Sequence, residues 1–312
     1  MKSLSTSSGP LAFPAFFPVT TFGGKFPLDE LVRPYLKRFG RGVMVSYHYA
    51  KMMTERPDGV LFIDSGGFAS LFEGAQLQDI GDFAVIRTKE GDEISPPAVL
   101  AFQEKHADIG ATVDFLIPPN CAEDEAERRL RLTLKNAVWA IKNRVNPTFV
   151  LYASVQAWDA DSATRAMQAL APYPFSGFAL GGMVPRVRRP EEIIEIVRAI
   201  RAVDSERPLH VFGMGSPKLI SDLFCAGVDS VDSSSYVRAA GDGKILDIHR
   251  LEWVKADANT TGVTPCACRS CQILGRAYLA LEGEANRMAL TLHNLEVLVH
   301  SVCSFEEADR VT

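Results

Sequence analysis

The sequence has no excess of positive charge, no apolar run long enough to cross a membrane and too few cysteines for a disulfide scaffold. With 33 Lys and Arg against 38 Asp and Glu, its net charge is −5. That balance argues against broad adhesion to polyanions and leaves only a local basic patch as a means of holding one. No apolar stretch approaches the roughly 20 residues that span a bilayer. Six cysteines in 312 residues do not make a framework, and three of them crowd into 266–271. This points to a reducing, cytoplasmic setting and to a metal. The start, "MKSLSTSSGPLAFPAFFP", carries one lysine and has prolines through its apolar part. It makes a poor signal peptide, and residues 1–13 are expected to be a flexible lead into the fold. No G-x-G-x-x-G follows the first apolar run, so a dinucleotide-binding domain has no support. Internal repeats, linkers and low-complexity tracts are missing as well.

What is present alternates between two patterns. Apolar, β-branched runs recur at 42–47, 59–64, 83–88, 111–117, 148–154, 177–182, 209–214 and 227–233, as strands buried on both faces require. Helical segments are expected between most of them. One covers about 123–143, with Glu123, Asp124 and Glu125 in its first turn and Lys142 near its end, matching the helix dipole. Others open at Pro190 and after Ser216-Pro217. Eight such runs predict a (β/α)8 TIM barrel, an α/β fold.

Barrel proteins build their sites at the C-terminal ends of the strands. Those ends carry Asp64 in "FIDSGGF", then Asp114, Gln156, Gly181-Gly182-Met183, Gly213-Met214-Gly215 and Asp232. Each alone could be a turn residue or a cap; as a set they place three acids, an amide and two glycine turns on one face. The metal motif is separate. "CACRSC" supplies Cys266, Cys268 and Cys271, and "LTLHNL" supplies His293 after 21 intervening residues. Three thiolates and an imidazole suit a closed, tetrahedral, structural Zn2+ site. An iron–sulfur cluster is the competing ligand, and His300 the competing imidazole. The segment 272–290 is expected to be helical. Cys121, Cys225 and Cys303 are expected to be small core residues.

Together "DSGGF", "GFALGGM", "GMGSPKLISDLFCAGVDSVDSS" and C-x-C-x2-C followed by H-N-L resemble the guanine transglycosylases, which insert 7-deazaguanines into nucleic acid. The resemblance runs from about residue 14 to 300. It implies a single barrel domain over 14–300 with a zinc subdomain at about 250–300, a tail over 301–312, and an exchange of guanine for a modified base without strand scission. Such an exchange with retention needs a nucleophile that holds the sugar while the bases trade places. The resemblance makes Asp232 that nucleophile and Asp64 the acid/base that protonates the departing guanine. Asp229 is the rival carboxylate, read as a turn residue before the strand. The two glycines after Asp64 are expected to leave room for a flat heterocycle. For the base itself the resemblance implies Phe68 stacking on the ring, with Asp114, Gln156, Gly182 and Met183 along its edge. Ala69 and Ala157-Trp158 depart from the family's bacterial pattern.

The polymer is read from "DSSSYVRAAGDGKI" (232–245). It resembles the archaeosine-type branch rather than the arginine-rich bacterial one. The chain ends soon after the zinc helix, without the long RNA-binding domains of archaeal members, and this leans towards DNA as the polymer. The alternatives are a tRNA-guanine transglycosylase and a non-catalytic nucleic-acid-binding paralog. The incoming free base is expected to be a 7-cyano- or 7-aminomethyl-7-deazaguanine. Arg186, Arg188 and Arg189 in "VPRVRRP", with Arg238 and Lys244, are expected to grip phosphates. A homodimer or a helper subunit is left open.

Overall fold

The structure, a computed structural model, describes residues 2–22, 26–256, 266–274 and 283–308. Eight parallel strands follow one another around a barrel: β1 Ala15–Pro18, β2 Gly42–Val45, β3 Val60–Ile63, β4 Ile109–Ala111, β5 Val150–Val155, β6 Gly177–Leu180, β7 Leu209–Val211 and β8 Ser230–Ser233. Neighbours in sequence are neighbours in space, and β8 returns to β1 with Asp232 opposite Phe17. The last gap, between β1 and β2, is closed by the parallel bridge Val19–Met44 and by the Thr20 amide donating to the Met44 carbonyl at 3.0 Å. Helices Pro96–His106, Glu123–Asn143, Ala160–Leu170, Pro190–Val203 and Pro217–Cys225 cover the outside. The barrel strands are buried on both faces, which is why they read as unbroken apolar runs. Phe17, Phe62, Met44, Tyr152 and Ala179 fill the interior, so the barrel is a packed core rather than a pore.

The expected (β/α)8 class holds, with two strands exchanged. The run 83–88 is not a barrel strand. Ala84–Arg87 is the middle strand of a three-stranded antiparallel sheet with Gln76–Asp79 and Glu93–Ile94, inserted after β3. Its Ala84, Val85 and Ile86 are fully buried. Asn136 of the helix Glu123–Asn143 pins it, accepting from the Ala84 amide at 2.7 Å and donating to the Ala84 carbonyl at 3.0 Å. A buried apolar strand looks the same whichever sheet holds it. The missing eighth strand is β1, "AFFP", too short and too proline-flanked to stand out. The expected flexible lead is ordered: Ser3–Thr6 and Gly9–Ala12 form an antiparallel hairpin. It is tied down by Lys2 on Asp229 at 3.0 Å, by the Ser8 amide on Asp108 at 3.0 Å and by buried Leu11.

The run 111–117 is strand only to Ala111. Beyond it, side chains replace the ladder. The Ser154 amide donates to Thr112 Oγ1 at 2.9 Å, the Phe115 amide to Thr133 Oγ1 at 3.0 Å and the Leu116 amide to Ser70 Oγ at 3.1 Å. Freed from the sheet, this segment turns across the mouth of the barrel and carries Asp114 with it.

Candidate active site

Asp64 follows the last residue of β3. Its Oδ1 accepts from the Tyr47 amide at 3.1 Å and the Gly66 amide at 2.8 Å, and the Ser46 hydroxyl also donates to the carboxylate. Burial outweighs these donors, and with Asp232 repelling it, the carboxyl is pushed up to about 6. Asp232 lies in β8, 5% exposed. Its Oδ1 accepts from the Gly213 amide at 2.9 Å and lies 3.0 Å from His210 Nε2. Gly213 sits at φ +74, a backbone that lets its amide face the carboxylate and that few other residues adopt. Asp232 Oδ2 has no hydrogen-bond partner among the described residues, so one oxygen is held and the other is available.

Asp114 and Gln156 are buried side by side. Gln156 Nε2 donates to Asp114 Oδ2 at 2.6 Å, and the Ser65 hydroxyl donates to Asp114 Oδ1 at 2.7 Å. Burial raises the Asp114 carboxyl above the usual carboxylate range despite both donors. A Cβ at Gly67 would lie 2.1 Å from Asp114 Oδ1, so this glycine makes room for that carboxylate. Gly182 and Met183 line the same end, both buried. Phe68 stands at the mouth, 57% exposed, edge-to-face with Phe72 at 5.7 Å.

Asp229 lies just ahead of β8, at the opposite end from Asp232. It accepts from the Leu209 amide at 2.7 Å and pairs with Lys2 and Arg201, which is the work of a structural acid. Arg186 is corrected by the structure: it is 2% exposed and cannot meet a phosphate. Its guanidinium donates to the carbonyls of Gly182 at 2.8 Å and Ile117 at 3.1 Å, bracing the glycine turn against the segment that carries Asp114. Arg188, Arg189, Arg238 and Lys244 are exposed. Arg189 pairs with Glu192 at 2.7 Å, and Lys244 lies 3.8 Å from Asp242. Arg188 and Arg238 have no ion-pair partner among the described residues.

Cys266, Cys268, Cys271 and His293 form the cluster that could hold a metal ion, their ligand atoms all within 4.8 Å of one another. His293 Nδ1 lies 3.6, 3.2 and 3.4 Å from the three sulfurs in turn, and the Cys266 and Cys271 sulfurs are 3.7 Å apart. A tetrahedron with Zn–S near 2.3 Å and Zn–N near 2.1 Å has edges of roughly 3.6–3.8 Å. The donor set fits such an ion. Amides of Cys268 and Cys271 donate to the Cys266 and Cys268 sulfurs at 3.2 and 3.3 Å, and His293 Nε2 donates to the Leu246 carbonyl at 2.9 Å, which orients the ring as outer partners of metal ligands do. His300 is exposed on the helix Gly283–Ala308 that also carries His293, outside this cluster. Of the helix expected over 272–290, residues 275–282 lie outside the described residues. Cys225 is exposed, against expectation, Cys121 is half-buried and packs against the main core, and the Cys303 side chain lies outside the described residues.

Asp64 yields a stability prediction. Its carboxyl is raised in the native state, so ionising it costs stability. That cost is absent below about pH 4 and grows up to about pH 6. Above pH 6 it is fully present. Asp64→Asn should therefore melt above wild type at pH 8 by the equivalent of about 1–2 kcal/mol, allowing for partial exposure, and level with it at pH 4. Thermal unfolding at the two pH values checks this; an equal offset at both would rule out ionisation as the cause.

Barrel and cluster together define an α/β barrel protein with a Cys3His cluster near its C-terminus that could hold a metal ion. More narrowly, the chain belongs to the family described as queuine tRNA-ribosyltransferase, whose model matches residues 1–308. It is 30% identical over 219 residues to the tRNA-guanine(15) transglycosylase of Methanopyrus kandleri, covering 69% of this chain and 43% of that protein. It is 27% identical to the proteins of the same name from Thermococcus onnurineus and Pyrococcus furiosus, covering 91% and 95% of this chain but 48% and 49% of theirs. The chain thus spans about half the length of the curated relatives it matches.

Proposed function

We propose that this chain exchanges guanine in tRNA for a 7-deazaguanine through a covalent glycosyl-aspartate at Asp232. The observation that carries the reading is the Asp232 carboxylate, with Oδ1 held by an amide and an imidazole and Oδ2 without a partner, beside a second acid that titrates near 6. In the first half-reaction Oδ2 bonds to the anomeric carbon as the C–N bond breaks, and its electron pair leaves with guanine. Asp64, as the acid, supplies the proton that neutralises the departing base. In the second half-reaction the entering base gives a proton to Asp64 and attacks the same carbon, and the Asp232 carboxylate leaves. Two displacements retain configuration. A carboxyl near 6 is suited to both roles around neutral pH. Asp114 and Gln156 would then meet the donor edge and carbonyl of the base. Zn2+ is the ion proposed for the cysteine cluster, structural in role because three thiolates and an imidazole close its coordination.

The lean towards DNA finds no support in the comparisons, because the relatives are all named for tRNA. The test supplies radiolabelled guanine with either tRNA or duplex DNA. Label in tRNA supports the proposal, label in DNA alone overturns the polymer, and label in neither leaves a binding paralog.

Phosphate contacts give a second prediction. Arg188 and Arg238 lie in segments that leave the catalytic ends of β6 and β8. Replacing both with alanine should flatten the salt dependence of tRNA binding by roughly 0.7–0.9 per arginine in the log–log slope. An unchanged slope in a salt titration would make them ordinary surface residues.

A further inference from the structure

His210 is fully buried in β7, beneath the proposed nucleophile. Its backbone register places it beside Ser230 of β8, and Ser230 and Asp232 both face it. Nδ1 lies 2.9 Å from Ser230 Oγ and Nε2 lies 3.0 Å from Asp232 Oδ1. The other surfaces of the ring meet aromatics: Phe212 at 4.8 Å, Phe62 at 5.1 Å and Phe17 at 6.0 Å between centroids. A carboxylate accepts only, so Nε2 must carry the hydrogen, and the Ser230 hydroxyl is left to donate to Nδ1. That tautomer is assigned from the partners. Among the described residues the ring's hydrogen-bond partners are Ser230 and Asp232, and its other surfaces pack on aromatics.

We propose that His210 is a positioning residue that fixes the rotamer of Asp232, so that Oδ2 alone faces the sugar. The proposal rests on the reading of Asp232 as nucleophile. Its physical content concerns Oδ1. As Oδ2 becomes an ester oxygen, Oδ1 becomes the carbonyl oxygen and gives up charge; as the second base enters, the charge returns to it. Two fixed donors, Gly213 N–H and His210 Nε2–H, hold that oxygen through both changes without moving; they keep Oδ2 aimed in the first step and stabilise the charge that returns to Oδ1 in the second. A carboxylate free to rotate would present either oxygen in many orientations and lose attack geometry. Ser230 acts one step further out, fixing which ring nitrogen carries the hydrogen.

The test compares three variants. His210→Phe keeps a ring in an aromatic cage and removes the donor. His210→Gln keeps a donor of similar reach. Ser230→Ala frees the tautomer. For guanine exchange into tRNA, His210→Phe is expected to lower kcat by roughly 10²-fold with KM for tRNA nearly unchanged, since only the reacting oxygen is affected. His210→Gln is expected to recover most of that loss, and Ser230→Ala to fall between the two. A His210→Phe enzyme with wild-type kcat, or a Gln variant as slow as Phe, would overturn the proposal. A readout without substrate separates this from failure of the catalytic reading: 15N chemical shifts of the imidazole, assigned by the signal missing in His210→Phe. The Nε2-protonated form in wild type, disturbed in Asp232→Ala, supports the clamp even if no exchange is found. An Nδ1-protonated or averaging ring refutes it.

Discussion

Asp232→Asn should fold, keep its metal and transfer no guanine. The amide oxygen can still accept from Gly213 N–H and His210 Nε2–H at the Oδ1 position, 2.9 and 3.0 Å from their nitrogens, so the site keeps its shape. What is lost is the anionic oxygen that would bond to the anomeric carbon. An amide is far too weak a nucleophile there, and loss of a covalent catalyst typically costs at least about 10⁴-fold in kcat. Two measurements check it: incorporation of labelled guanine, and the covalent protein–RNA adduct on a denaturing gel, which should be absent from the variant. Asp229→Asn is the informative control. Asp229 holds Arg201 and Lys2 at the other end of the barrel, with both Asp229 and Arg201 side chains largely shielded. Its loss should lower the melting temperature and spare kcat per folded molecule. The roles would be reversed if Asp232→Asn kept kcat within tenfold of wild type while Asp229→Asn abolished exchange.

The parallel barrel was legible because strands buried on both faces leave unbroken apolar runs, and the helix Glu123–Asn143 because its acidic first turn and spaced leucines announce it. The limits are physical too. Ala84, Val85 and Ile86 read like a barrel strand because they are fully buried, with the helix beside them pinning Ala84; periodicity reports burial, not which sheet does the burying. β1 was hidden by its length and its prolines. At Ala111 the strand ends where Thr112 and Ser154 exchange side-chain bonds, and nothing in "ATVDFLI" marks that change. The acids at the strand ends were visible as residue types in the right places. Their supports were not. Arg186 looked like a surface cation because it stands in a run of three arginines, yet it is the one that turns inward to two carbonyls. His210 had a signal that could have been used: a lone imidazole inside "LHVFGM" must find partners if the strand is buried, and Ser230 and Asp232 are spaced by two on the next strand.

Cys268→Ala should lose its metal and with it the order of the segment around the cysteines, while the barrel strands persist. Cys268 is the most buried of the three thiols, and its sulfur lies 3.2 Å from His293 Nδ1. Without it three ligands remain and one vertex of the tetrahedron opens. The helix that carries His293 keeps Leu295, Val297 and Leu298 in the main core, so the ion would carry the folding free energy of the segment around the cysteines rather than of that helix, as structural zinc sites do. The consequence reaches the catalytic face through a traceable line. Asn294, next to His293, accepts from the Leu246 amide at 2.8 Å and donates to the carbonyls of Lys244 at 3.1 Å and Tyr236 at 3.3 Å. Tyr236 in turn donates its hydroxyl to the Val19 carbonyl at 2.9 Å, beside the Val19–Met44 bridge that closes the barrel. Loss of the metal should therefore slow guanine exchange as well as expose the segment around the cysteines to protease. Metal analysis of purified protein should find about one zinc per wild-type chain and none in Cys268→Ala, whereas Cys121→Ala, outside the cluster, should keep its zinc. Limited proteolysis should cut Cys268→Ala near the cluster and leave a barrel fragment. Wild-type protein that folds and resists protease with no bound metal, after growth with zinc supplied, would remove the ion from this account and leave the four residues as a hydrogen-bonded knot.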